Sequence, residues 1–178
     1  STPLWSYITG DEVWAVSIST DGEYITVGSD DSKIYHFDKD SSTPLWSYTT
    51  NYFVRSVSIS ANGEYIVAGT DKNAYDKDNV YLFDKDSSTP IWSYTTGGFS
   101  SGDVLSVDIS ADGEYVTFGS NNDKVYLFDK DSSTPLWSYT TGDNVWSVAI
   151  SADGEYIVAG SSDDNVYIFR NDPVSRPS

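Results

Sequence analysis

Few residues of this chain could do chemistry, and most of them recur at fixed spacing. His36 is the only histidine, and the chain has no cysteine. A single histidine without a nucleophilic partner makes neither a catalytic triad nor a zinc site. The positions that align with it in the other repeats hold Leu82, Leu127 and Ile168. We therefore interpret His36 as a packed or edge residue of the third strand.

Three aspartate-rich segments resemble the first half of a calcium-binding loop. They read Asp-Lys-Asp-Ser and begin at Asp38, Asp84 and Asp129. Calcium takes roughly six to eight oxygen ligands, usually with a bidentate acid and a sharp glycine turn. Neither follows these segments, so we expect Asx turns that satisfy loop N–H groups. We assign no metal and no cofactor to the chain.

Adjacent carboxylates such as Asp30-Asp31 and Asp163-Asp164 are the remaining residues typical of an active site. Glycosidases place their two carboxyl groups on either side of the scissile bond, whereas these pairs recur in loops of the repeat and are expected to be solvated turns. No acid, base or nucleophile candidate stands outside the repeated turns. The sequence therefore predicts that the protein is not an enzyme.

The charge of the chain excludes further classes of function. It carries 27 acidic and 10 basic side chains, for a net charge of −17. Nucleic acid binding needs clustered Lys and Arg, and anionic membrane surfaces attract basic segments. We therefore expect neither nucleic acid nor a membrane as a partner. Aromatic residues make up 15% of the chain, which is typical of a folded protein.

A repeat of about 41 residues positions all of these groups. Gly-Glu-Tyr recurs with spacings of 41, 50 and 41 residues, at Gly22, Gly63, Gly113 and Gly154. Each copy contains strand-like runs such as VWSVAIS, EYIVAG, VYIF and LWSYTT, and no helical periodicity. Asp-Gly or Asn-Gly joins the first run to the second, which favours a tight hairpin. The runs predict sixteen strands and no helix longer than one turn.

The third run of each repeat, VYLF for example, is largely apolar on both faces. Such a strand must be covered on both sides, and one four-stranded sheet cannot cover both of its own faces. Radial stacking of the sheets does cover them. The sequence therefore predicts an all-β fold, a β-propeller of four four-stranded antiparallel blades over residues 1–170, followed by a C-terminal tail at 171–178.

The order of the runs leaves several ways to close the ring. The chain begins with a segment typical of an outermost strand, residues 3–9 with the strand itself at 3–8, and ends with a third strand, at 165–170. We expect these two to pair, within one chain or between partners. The alternatives are a monomeric four-bladed ring, half of an eight-bladed ring formed by a homodimer, and a section of a longer array. The two-chain ring is favoured because four blades require about 90° between neighbours.

Two segments resemble known propeller repeats. SADGEYIVAGSSDDNVYIF is similar to the central part of a WD-repeat blade, with FD or FR where that family has Trp-Asp and without its Gly-His pair. VYLFDKDSSTPLWSY resembles the docking segment of quinoprotein-type, PQQ-like repeats. The resemblance covers essentially residues 1–170. It implies the propeller fold and says little about function, because propellers host many activities.

Two long loops and one variable position break the regularity of the repeat. The loop between Gly69 and Val80 has ten residues, and the loop between Tyr94 and Val104 has nine, against five elsewhere. Both are expected on the same face, in adjacent blades. The position after the opening valine of each repeat lies near that face, and it holds Trp14, Arg55, Leu105 and Trp146.

This uneven face motivates the functional hypothesis. Binding residues concentrate on loops over a rigid scaffold, so we predict a non-catalytic module that recognises a protein or a glycan. The predicted binding residues are Trp14, Tyr52, Phe53, Arg55, Tyr75, Phe99 and Trp146. The alternative is a structural repeat segment of a larger cell-surface or assembly protein with no ligand of its own. The composition does not fix the compartment, and we favour an extracellular or cell-surface location.

Overall fold

The computed structural model describes residues 1–71, 80–97 and 102–172. Within these ranges it contains fifteen strands, arranged in four antiparallel sheets, and no helix. The all-β fold and the blade-like sheets predicted from the repeat are thereby confirmed. Three sheets have four strands, and the last has three.

Each sheet is a meander whose strands follow one another along the chain. Blade 1 contains β1 Val13–Ile18, β2 Tyr24–Ser29, β3 Lys33–Asp38 and β4 Trp46–Thr49. Blade 2 contains β5 Val54–Ile59, β6 Tyr65–Thr70, β7 Val80–Asp84 and β8 Trp92–Tyr94. Blade 3 contains β9 Val104–Ile109, β10 Tyr115–Ser120, β11 Lys124–Asp129 and β12 Trp137–Thr140. Blade 4 contains β13 Val145–Ile150, β14 Tyr156–Ser161 and β15 Val166–Arg170.

The turn between the first and second strands follows from its Asx-Gly sequence. Gly22 has a φ of 75°, a region that side chains other than glycine rarely adopt. The carboxylate of Asp21 accepts hydrogen bonds from Ser19 Oγ at 2.5 Å and from the Glu23 N–H at 3.0 Å. Blades 2, 3 and 4 repeat this arrangement with Asn62, Asp112 and Asp153.

Neighbouring blades pack through their first strands, with β1 on β5, β5 on β9 and β9 on β13. In blades 1, 2 and 3 the third strand is covered on both faces, as its sequence predicted, and Ile34, Val80 and Val125 are fully buried. In blade 4 the aligned residue, Val166, is exposed. The outer strand of one blade also binds the next. Trp46 Nε1 of β4 donates a hydrogen bond to the carbonyl oxygen of Lys85 in blade 2, at 2.7 Å.

The first residues differ from the prediction, because no strand is assigned to 3–8. This segment lies against blade 1, where Trp5 Nε1 donates to the carbonyl oxygen of Lys39 at 2.6 Å. The Trp5 ring lies 5.4 Å from that of Phe37. The segment therefore takes the place on blade 1 that β4 takes on blade 2. It is held by side chains rather than by a backbone ladder, which is why fifteen strands and not sixteen are found in the described residues.

Candidate functional site

The candidate site lies where the second strand of each blade ends beside the start of the first. The same backbone hydrogen bond forms at this end in every blade, from Asp30 N to Glu12 O at 2.9 Å in blade 1 and from Ser162 N to Asn144 O at 2.9 Å in blade 4. The side chains nevertheless differ between blades. We call this end the variable face and define it by Trp14, Asp30, Phe53, Arg55, Asp71, Leu105, Asp103, Asn121, Trp146 and Ser162.

Arg55 is the centre of the variable face. Its Nη1 donates to Asp30 Oδ1 in blade 1 at 3.0 Å, and its Nε donates to Asp71 Oδ2 in blade 2 at 2.8 Å. The three side chains are mostly buried, with a quarter or less of Arg55 and Asp30 exposed. Arg55 therefore ties two blades together at this end. Both bonds are charge-assisted, and such bonds are stronger than neutral ones.

Two aromatic rings lie against the same guanidinium. Its Cζ atom is 4.8 Å from the centre of the Trp14 ring and 5.3 Å from that of Phe53. A cation within about 6 Å of an aromatic centre is attracted to the ring face. Trp14 remains 56% exposed, so much of its surface is available to a ligand. The structure thus brings three predicted residues into one cluster.

The cluster is acidic despite its arginine. Burial raises the pKa of Asp71 above its usual range, and the charges of Asp103 and Asp30 raise it further, while Arg55 lowers it. Asn121 Nδ2 donates to Asp103 Oδ2 at 2.7 Å and holds that carboxylate beside the site. Two carboxylates therefore pair with one guanidinium, and the charge of a third, that of Asp103, acts on Asp71. This arrangement suits a positively charged group of a partner.

The other predicted residues lie at different distances from this cluster. Trp146 is in blade 4, where its Nε1 donates to Ser162 Oγ at 2.5 Å and 59% of its surface is exposed. Tyr52 lies between β4 and β5, and its carbonyl oxygen accepts a hydrogen bond from Thr50 Oγ1 at 2.6 Å. Tyr75 and Phe99 lie outside the described residues. Their part in the site stays a prediction.

Sequence reasoning did not single out Asp30 and Asp71 as the partners of Arg55. A signal was present, because the position after the second strand also varies between repeats, and it holds Asp30, Asp71, Asn121 and Ser162. Asp30 was treated as one of a pair of solvated turn residues. It is mostly buried instead, because Arg55 of the next blade covers it. The repeat pattern shows which positions vary, and only the blade packing shows which of them meet.

His36 is packed inside the fold, as predicted. The side chain is fully buried, its ring lies 5.5 Å from Tyr24 and 5.1 Å from Trp46, and Nδ1 shares a hydrogen bond with Thr26 Oγ1 at 3.0 Å. Burial lowers the pKa of His36 to about 4. The ring is therefore neutral at physiological pH and belongs to the interface between blades 1 and 2.

The aspartate segments form the Asx turns expected of them. Asp38 Oδ1 accepts the Asp40 N–H at 2.8 Å, and blades 2 and 3 repeat this bond at Asp84 and Asp129. Lys39 pairs with Glu23 and with Asp40. In residues 1–71, 80–97 and 102–172, no group of three or more His, Cys, Asp or Glu side chains is arranged to hold a metal ion. The same ranges contain no helix long and apolar enough to cross a membrane.

The chain matches a known family over most of its length. The family described as outer membrane protein assembly factor BamB matches the chain over residues 4–172. This range includes all four sheets and the variable face. The match agrees with the PQQ-like repeat seen in the sequence. No curated protein matches the chain.

Proposed function

Because the chain belongs to the family described as outer membrane protein assembly factor BamB, we propose that it is a non-catalytic propeller that binds a protein partner through its variable face. The observation that carries this proposal is the Trp14–Arg55–Phe53 cluster with its carboxylates. It occurs once among repeats that are otherwise nearly identical. Aromatic and arginine side chains supply much of the binding energy of protein interfaces.

The partner that fits this face is a segment with basic and apolar side chains. The surplus of carboxylates around Arg55 attracts positive charge, and the net charge of −17 steers basic partners from a distance. The exposed Trp14 and Trp146 rings offer apolar contact area at the same end of blades 1 and 4. The partner we propose is thus a protein that contacts the variable face.

A glycan is the second candidate ligand. Trp146 presents a flat ring beside the Ser162 hydroxyl, and a sugar would use such a ring together with neighbouring hydrogen-bonding groups. The family description concerns protein assembly, which favours a protein. We propose an extracellular or cell-surface location for the chain, in keeping with a family named for the outer membrane.

Site-specific photocrosslinking tests the proposal. A photoreactive phenylalanine derivative replaces Phe53 in one variant and Trp146 in a second. The control replaces Ser133, which is exposed in the loop between β11 and β12, at the opposite end of blade 3. We expect a cross-linked protein in a membrane-fraction extract from positions 53 and 146 and none from 133. Adducts from all three positions, or from none, would contradict the proposal.

Three further variants test the variable face, and the last of them separates the two candidate ligands. Trp14→Ala removes a ring that touches Arg55 and should lower the yield of the adduct from position 53 while the melting temperature stays unchanged. Shortening the loops at 70–79 and 95–103 to five residues should also abolish the adduct, since loop length costs little stability. A glycan array probed with the chain distinguishes the sugar alternative. Binding there that Trp146→Ala removes would favour a glycan.

A further inference from the structure

The two ends of the blade stack expose apolar faces that are buried everywhere else in the protein. On blade 1, Val13, Val16 and Ile18 form what we call the leading face. On blade 4, Val158, Val166 and Ile168 form the trailing face. Val16 is 68% exposed and Val166 is 79% exposed. Exposed apolar patches of this kind mark interaction surfaces.

The repeat shows what should cover each face. The residues equivalent to Val16 are Val57, Val107 and Val148, and each is buried against the preceding blade. The residues equivalent to Val166 are Ile34, Val80 and Val125, and each is fully buried against the following blade. The leading face therefore has the surface that fits a trailing face. Three copies of this interface already exist within the chain.

The glycines of the second strands show how close the fit is. A Cβ atom added to Gly28, Gly69 or Gly119 would come within 2.6 Å or less of a valine side chain in the next blade. That valine is Val54 for Gly28 and Val145 for Gly119. The fourth equivalent, Gly160, would meet nothing within 4 Å. The valine that aligns with Val54 and Val145 is Val13, which is half exposed on the leading face.

A cavity lies on blade 1 at the place where the other blades contact a preceding blade. It has a volume of about 130 Å³, and Trp5, Tyr7, Val16 and Phe37 contribute to its lining. In blade 2 the equivalent residues Val57 and Phe83 are in one apolar cluster with Ile34 of blade 1. No residue of the described chain plays the part of Ile34 on blade 1. The aligned residue is Val166 on the trailing face.

The segment at 3–9 is already placed for this interface. It contacts blade 1 through Trp5 and Lys39 as β4 contacts blade 2 through Trp46 and Lys85. In blade 1 the register pairs Ile34 with Tyr48 and His36 with Trp46. The same register pairs Val166 with Tyr7 and Ile168 with Trp5. The segment would thus act as the fourth strand of a blade 4 that docks on the leading face.

We propose that the trailing face of one chain docks on the leading face of a second copy, and that two copies close into a ring of eight blades. Both faces of one chain are exposed, so they do not cover each other in the stack. A head-to-tail interface gives a closed ring when its rotation closes, and here each copy supplies both faces once. The segment 3–9 of each chain then completes blade 4 of its partner. The inference does not depend on what binds the variable face.

Light scattering on the purified chain is the first test. We expect a mass of twice the 19.6 kDa of one chain, which falls toward one chain on dilution. Val166→Glu should raise the dissociation constant at least about 100-fold, because the carboxylate would be buried without a partner. Gly160→Ala should also yield monomers, since the new Cβ would meet Val13 as it would meet Val145 at Gly119. Thr140→Glu is the matched control and should keep the dimer.

Gly160→Ala keeps the test sound if Val166→Glu does not fold, because its Cβ meets nothing within one chain. A single-chain mass for the unaltered protein at micromolar to millimolar concentration would overturn the proposal. An open-ended series of larger species would overturn the closed ring. A dimer that both interface variants leave intact would place the contact elsewhere.

Engineered disulfides test the register and the closure directly. The chain has no cysteine, so Ile8→Cys in one copy and Asn165→Cys in another create a single reactive pair. These positions align with Thr49 and Lys33, which are partners in the blade 1 register. Oxidation of the mixture should give a two-chain band on a non-reducing gel. The double variant should give covalent dimers. A disulfide within single chains would show a four-bladed ring and refute the proposal.

Discussion

His36→Leu should make the protein less sensitive to acid while leaving its fold intact. The imidazole is fully buried between Tyr24 and Trp46, and among the described residues its Nε2 has no hydrogen-bond partner. Burial lowers its pKa from 6.5 to about 4. The unfolded chain therefore binds a proton between these values that the folded chain does not bind. The contribution of the neutral His36 side chain to the free energy of unfolding is fully present above pH 6.5 and is lost as the pH falls toward 4.

The size of the effect follows from the two pKa values. The full difference corresponds to about 3 kcal/mol, and the part lost between pH 7 and pH 5 is about 2 kcal/mol. Urea unfolding at pH 7 and at pH 5, at one protein concentration, measures it. The carboxylates whose pKa is lowered, such as Asp31 and Asp163, titrate at lower pH in both variants. They cancel in the comparison of the parent with His36→Leu.

The repeat supplies matched controls. Leucine is the natural residue at the aligned position 127, where the facing Thr117 donates to the Tyr126 carbonyl oxygen at 3.0 Å. Thr26 can make the same bond to Tyr35 once His36 is leucine. The reciprocal Leu127→His places an imidazole opposite Thr117 and should introduce the acid sensitivity into blade 3. Equal losses of stability between pH 7 and pH 5 in the parent and in His36→Leu would refute the reasoning.

Two other substitutions follow from the blade contacts. Gly119→Ala places a Cβ atom 2.5 Å from Val145 Cγ1 and should destabilise the protein by about 1–3 kcal/mol; a urea midpoint equal to that of the parent would contradict this. Arg55→Leu, which introduces the residue found at position 105, leaves Asp30 and Asp71 without their cation and should cost about 1–3 kcal/mol. It should also raise the pKa of Asp71 further, which carbon-detected NMR of its carboxyl group measures, and an unchanged pKa would mean that the Arg55–Asp71 bond is absent in solution.

Much of the fold could be predicted because the residues of each repeat determine its turns and the burial of its strands. Asp21-Gly22 specifies a tight turn through the positive φ of glycine, and the doubly apolar third strands require cover on both faces. The segment at 3–8 was predicted as a strand from its likeness to LWSYTT. A strand also needs a backbone partner, and nothing in the local sequence says whether that partner is present. The Trp5 side chain nevertheless donates a hydrogen bond to the Lys39 carbonyl oxygen, as Trp46 does to the carbonyl oxygen of Lys85.

The candidate site was predictable only in part, for a similar reason. Variation between repeats points to Trp14, Arg55 and Trp146, because a position that differs between repeats is not needed for the common packing. The partners of Arg55 lie in two blades, at Asp30 and Asp71. A contact between blades depends on how the first strands pack, and a single repeat does not encode that. The pairing could be inferred only once the blade interface was known.

A comparison of the junctions between blades shows that the common packing does not account for Arg55. At the equivalent place between blades 2 and 3, Leu105 replaces the arginine, and between blades 3 and 4 Trp146 does so. The backbone bonds at these ends are nevertheless the same, with Asn121 N on Asp103 O at 3.1 Å and Ser162 N on Asn144 O at 2.9 Å. Blade packing therefore does not require a guanidinium or a carboxylate here. A protein that keeps such a network at one junction of an otherwise uniform repeat, beside a half-exposed tryptophan, has a surface suited to recognition at that junction.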